Sequence, residues 1–166
     1  MLEQAVRAAS QRVDVSDAIG GVYHRLQTEI DRRKPICVAS GKCCKFEEYK
    51  HRLFISTLEL AKFLREWQSG TWSEEVVESL RRWDGAGCPF QIEQLCGVHL
   101  ARPFGCRIFF CDQTATGWQH ERYEQFHSEI KLLHQELNVP YFYVEWRQAL
   151  KAIGFAPVHS RNAEAP

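Results

Sequence analysis

Apolar residues recur at helical spacing through residues 2–33, first at Ala5, Ala8 and Ala9, then at Ile19, Val22, Tyr23, Leu26 and Ile30. Asp14 and Ser16 are good N-cap residues within that stretch, so the pattern predicts a long helix with a break near them. Arg32-Arg33-Lys34-Pro35 stops it, because basic residues in a last turn followed by proline end a helix. Residues 51–57 alternate well enough for a short strand. Thr57 then caps a helix carrying Leu58, Leu60, Ala61, Phe63, Leu64 and Trp67, with Leu60 and Ala61 toward the core and Ser69-Gly70 at its end. Another helix is expected over 73–83, with a loop at 84–87. The pattern returns over 118–137, where Tyr123, Phe126, Ile130, Leu133 and Leu137 form a three-and-four stripe closed by Asn138-Val139-Pro140. A strand-like piece follows at 141–144, then a helix at 145–153 ended by Gly154 and a frayed tail over 157–166.

Residues 88–112 follow neither period, as a segment does when ligand geometry sets its path. No repeat, low-complexity block or linker divides the chain. The expected fold is therefore mainly α: a single irregular domain over residues 1–166 with short strands, organised around a cysteine-rich metal centre. Its cysteine region spans 37–112 and its C-terminal helical part 113–155.

Composition narrows the function classes. Lys plus Arg is 21 and Asp plus Glu is 21, a zero net charge that argues against general nucleic-acid binding. Glu3, Arg7 and Arg12 interrupt any apolar run in residues 1–15, and no stretch approaches the roughly 20 apolar residues that cross a bilayer. A cytoplasmic, non-membrane protein is expected. In a reducing compartment, clustered cysteines are more often metal ligands than disulfides, and the odd count of seven agrees.

Those seven are Cys37, Cys43, Cys44, Cys88, Cys96, Cys106 and Cys111, all candidate ligands. Gly41 lies where a tight turn is needed to bring Cys37 back toward the Cys43-Cys44 pair. The later spacings match neither zinc-finger knuckles nor a common ferredoxin run. One tetrahedral zinc or one four-iron cluster uses four protein ligands, fewer than are present. Successive side chains in an extended chain point apart, so Cys43 and Cys44 are expected to serve neighbouring metals in a polynuclear centre. A zinc site, a thiol–disulfide switch and inert buried thiols remain as alternatives.

At these residues the chain resembles a known family, the YkgJ-like cysteine-cluster proteins of the zinc- or iron-chelating CxxCxxCC type. The elements that carry the resemblance are Gly41-Lys42-Cys43-Cys44, Cys88-Pro89-Phe90, Cys96-Gly97-Val98-His99 and Arg102-Pro103-Phe104-Gly105-Cys106-Arg107. Many members have another cysteine just before the glycine, where this chain has Ser40, and Cys111 is available to compensate. The resemblance implies an iron–sulfur cluster or iron, with zinc as the alternative. It also implies redox or modification chemistry with an unidentified protein or redox partner. No glycine loop of the G-x-G-x-x-G kind accompanies it.

Further candidates lie around the cysteines. His99 is three residues past Cys96, and Arg102 and Arg107 flank Cys106, placed either to offset thiolate charge or to pair with carboxylates. His120, His127 and His134 recur every seven residues, about 10 Å apart along one helix face. His127 and His134, beside Phe126 and Leu133, are the ones expected to approach the core and supply a ligand or proton carrier. Trp118, Trp146, Tyr141 and Tyr143 are read as core or covering aromatics.

Overall fold

The computed structural model describes residues 1–155; the tail expected to fray lies outside the described residues. The helices are α1 (Leu2–Ser10), α2 (Val13–Arg33), α3 (Thr57–Ser69), α4 (Glu74–Arg82), α5 (Phe104–Ile108), α6 (Thr116–Glu136) and α7 (Trp146–Ala152). The strands are β1 (Phe54–Ser56), β2 (Gln91–Ile92), β3 (Leu95–Cys96) and β4 (Tyr143–Glu145), with single turns of 3-10 helix at Lys42–Cys44 and Gln113–Ala115. The described part is mainly helical with short strands, as the periodicity predicts. No helix among the described residues is long and apolar enough to cross a membrane.

The first break falls earlier than the cap residues suggest. Arg12 is extended (φ −89°, ψ 122°), so α2 starts at Val13. Its guanidinium pairs with Asp14 at 2.7 Å and donates to the Leu137 carbonyl at 2.9 Å. Asp14 thus steadies the break from inside α2 instead of capping it. Left-handed Lys34 (φ 50°) ends α2 just before Pro35.

Ser56, not Thr57, caps α3. Its hydroxyl accepts the Glu59 N–H while the Glu59 carboxylate accepts the Ser56 N–H at 3.0 Å, a reciprocal capping box. Thr57 is engaged elsewhere: its N–H donates to the Phe142 carbonyl (3.1 Å), and its hydroxyl accepts the Phe142 N–H (3.0 Å). These bonds continue the antiparallel β1–β4 ribbon, in which Phe54 faces Glu145 and Ser56 faces Tyr143. The N-terminal half of α3 is buried on nearly every side, packed against α1 and α2.

An aromatic core links the helices to the cysteine region. Phe63 of α3 packs edge-on against Trp146 at 5.1 Å and tilts against Phe90 at 5.4 Å. Trp146, Phe63 and Phe90 are all fully buried. Burial of large apolar side chains stabilises by about 1.5–3 kcal/mol each. Phe90 lies two residues from Cys88, so this core also fixes one wall of the site.

Candidate metal centre

Gly41 begins the site. Its φ is +68°, and a Cβ there would lie 2.4 Å from the Gln91 side-chain nitrogen and 3.1 Å from the Gln94 backbone. Only glycine tolerates both the left-handed backbone and the close approach of the β2–β3 hairpin. Gln91 returns a hydrogen bond to the Gly41 carbonyl at 3.1 Å. The 3-10 turn that follows carries Cys43 and Cys44 on one tight loop, with their sulfurs 4.0 Å apart. That corrects the expectation of an extended pair facing opposite ways: a bent backbone lets neighbouring residues converge. Two thiolates on one tetrahedral zinc sit about 3.8 Å apart, from a Zn–S bond of about 2.3 Å.

Three other segments are drawn to this turn. The Cys88 N–H donates to the Cys44 carbonyl at 2.9 Å. Glu47 accepts the Gly87 N–H at 2.9 Å and pairs with Arg147, tethering the same loop from below. Cys96 sits on β3 opposite Gln91 in the hairpin. Cys106 lies in α5, whose first N–H, that of Phe104, is held by Glu59 at 3.0 Å.

Cys43, Cys44, Cys88, Cys96 and Cys106 thereby line one small cavity of about 30 Å³, walled also by Phe90, Arg102 and Trp146. Among the described residues, no three His, Cys, Asp or Glu side chains stand close enough together to hold an ion as they are. The cysteines share one cavity without forming a ready-made ligand set. The thiols differ in acidity. A hydrogen bond from Cys44 brings Cys43 down to about 6. Cys44 itself is pushed up by its bonds to Cys43 and Cys88, while Cys88 is lowered through Cys44. Burial raises Cys96 to about 11 and raises Cys106 as well.

Among the described residues, two buried donors in the same walls lack hydrogen-bond partners: Arg102 Nε and Trp146 Nε1. Trp146 Nε1 lies beside the Cys88 sulfur and favours its thiolate, and Arg102 lowers Cys43, Cys96 and Cys106 through its charge. An uncompensated buried donor is costly, and sulfur anions in this cavity would relieve both. The donor set thus fits a thiolate-ligated zinc or iron centre. Soft thiolates suit these metals, and a bound metal favours their deprotonation.

Not every candidate gathers here. Cys37 and Cys111 are exposed and do not line the cavity; the Cys111 sulfur lies 3.6 Å from the Ser40 hydroxyl. His99 is exposed, its pKa lowered by partial desolvation and then by Arg102 and Arg107. Arg107 stacks over the Tyr23 ring at 4.2 Å and donates to the Arg102 carbonyl at 2.8 Å, bracing the loop instead of pairing with a carboxylate. His127 bonds Tyr141 at 3.1 Å and packs on Tyr143, and His134 bonds the Val139 carbonyl at 3.0 Å. Neither histidine is among the residues lining the cavity. His120 is exposed. Sequence reasoning missed Trp146 as a site residue, since nothing local distinguishes it from core. It also missed Glu59, although Ser56-x-x-Glu59 is a legible capping box.

No curated protein and no solved structure matches this chain. One family model does, with the description "CxxCxxCC: Putative zinc- or iron-chelating domain". It matches residues 36–127, more than half of the chain and a span holding all seven cysteines. All five cysteines that line the cavity lie within that span, and the chain belongs to the CxxCxxCC family of zinc- or iron-chelating domains.

Proposed function

We propose that this chain is a metal-binding protein whose centre is held by Cys43, Cys44, Cys88, Cys96 and Cys106, and that the centre is an iron–sulfur cluster or another multi-metal group. The observation that carries the reading is the gathering of five cysteines from four separate segments around one cavity, with Arg102 and Trp146 in its walls. Five sulfurs around one space, with two more cysteines nearby in sequence, exceed the four ligands of a single tetrahedral ion. When bound, such a group supplies one-electron chemistry. The chain's own residues hold it, exclude water through Phe90 and Trp146, and offset thiolate charge through Arg102. The cellular role would be electron transfer or oxidative modification with a redox partner protein.

One observation favours a second reading, a zinc-only site that staples the fold or carries zinc. The 4.0 Å between the Cys43 and Cys44 sulfurs is close to the spacing of two ligands on one tetrahedral zinc, and the cavity is small. Elemental analysis of anaerobically purified protein, with acid-labile sulfide and a visible spectrum, separates the two. Iron with sulfide and visible colour supports the cluster. Stoichiometric zinc in colourless protein overturns the cluster in favour of the staple or carrier.

A further inference from the structure

The family's own pattern reads Cys-x-x-Cys-x-x-Cys-Cys, and in this chain it falls on Cys37, Ser40, Cys43 and Cys44. Serine breaks the series at its second place. A neutral hydroxyl is a poor ligand for zinc or for an iron centre otherwise made of thiolates. The interrupted position is nevertheless not without sulfur: Cys111, far along the chain, lies with its Sγ 3.6 Å from Ser40 Oγ.

Contacts that do not involve sulfur hold that arrangement. The Ile36 N–H donates to Asp112 at 3.2 Å, and Asp112 is fixed in turn by the Thr114 N–H at 2.9 Å. Arg33 donates to the Thr114 carbonyl at 2.9 Å. Residues 33–40 are therefore laid along 111–114, and Cys111 is presented beside the one place in the motif that lacks a thiol. Two-residue spacing lets successive cysteines reach one ion, so a thiolate at position 40 would stand between Cys37 and Cys43. We infer that Cys111 takes the ligand place that Ser40 leaves, restoring the interrupted motif from the connection between α5 and α6. The inference rests on the metal-centre reading above and assigns one more ligand to it.

The test compares zinc binding by the wild type, Cys111→Ser, Ser40→Cys and the double variant Ser40→Cys/Cys111→Ser, in competition with a chromogenic chelator. Loss of the Cys111 thiol is expected to weaken zinc retention by roughly tenfold or more, since even groups behind the ligands are worth about that much. The double variant is expected to regain the wild-type value. Wild-type retention by Cys111→Ser, or a double variant with a normal circular dichroism spectrum that binds no better than Cys111→Ser, overturns the assignment.

A second measurement needs no variant: zinc should protect Cys111 of the wild type from alkylation as strongly as it protects Cys43, and equal labelling with and without zinc overturns the assignment. Wild-type protein that binds neither zinc nor iron overturns the metal centre itself. If Cys88→Ser abolishes binding while Cys111→Ser leaves it intact, only the role of Cys111 falls.

Discussion

The carboxylate of Glu59 accepts the backbone N–H of Phe104 across 3.0 Å, joining the first turn of α3 to the first turn of α5. Its other oxygen closes the capping box on Ser56, so one 2% exposed acid serves two helix starts. Two residues beyond Phe104 lies Cys106. Glu59→Ala leaves two buried N–H groups unpartnered and is expected to destabilise the fold by about 2–6 kcal/mol, at about 1–3 kcal/mol per orphaned group. Glu59→Gln, which keeps one acceptor, should cost about half of that. Urea unfolding measures both, and equal stability of the two variants would sink the two-acceptor account.

Gly41→Ala should be costly out of proportion to its size. A left-handed non-glycine residue costs about 1–2 kcal/mol, and the new methyl would press on the Gln94 backbone at 3.1 Å. The expected result is a lowered Tm together with weaker zinc retention, because the turn carrying Cys43 and Cys44 must shift. A variant with a lowered Tm and unaltered zinc affinity would show that the turn does not position the sulfurs.

The thiols should separate by acidity in metal-free protein. Alkylation requires the thiolate. Exposed Cys43, at about 6, is expected to label half-maximally near that pH, whereas Cys96, at about 11, should resist labelling at neutral pH. Mass spectrometry of peptides from protein alkylated across pH 5–9 reads both. Simultaneous labelling of the two would contradict the hydrogen bond from Cys44 to Cys43.

His134 should make the fold sensitive to mild acid. Its ring is buried and bonded on one side to the Val139 carbonyl, and among the described residues its Nε2 has no partner. Burial holds its pKa below the ordinary 6.5. The unfolded chain therefore takes up the proton first. The stability contribution is complete above about pH 6.5 and declines as pH falls from there toward the folded pKa. Thermal melts of wild type and His134→Gln from pH 7.5 to 5 should show the wild type losing more stability below 6.5. Parallel curves would assign the acid sensitivity to other groups.

Trp146→Phe keeps the ring packed against Phe63 but removes the N–H beside Cys88. Zinc retention is expected to fall roughly tenfold, in line with losses of groups that support metal ligands, with little change in the helical circular dichroism signal. Unchanged affinity would make the indole N–H a bystander.

The long helices were legible because Phe126 and Ile130, or Leu60, Ala61 and Leu64, repeat often enough to show a period, and because Ser73 and Gly154 mark ends. The turn at Gly41 was legible for a similar reason: the residue type announces the backbone. What escaped is short or distant. The β2–β3 hairpin and five-residue α5 offer too few positions for any period. The expectation that Cys43 and Cys44 diverge assumed an extended chain, which the 3-10 turn denies. Trp146 reaches the cavity only because β4 pairs with β1, a relation between residues some ninety apart that no local pattern records.

The hydrogen bond from the Cys88 N–H to the Cys44 carbonyl bears on how fast an ion can be captured. It fastens the two cysteine-bearing stretches through backbone, so their meeting does not await a metal. Closing a loop of that length costs about 3 kcal/mol of chain entropy, and here folding has already met that cost. The thiols consequently face an arriving ion at high effective concentration, with only side-chain rotations and proton loss left to complete. A site built this way should load as quickly as its thiols release protons, and exchange should be governed by acidity instead of refolding.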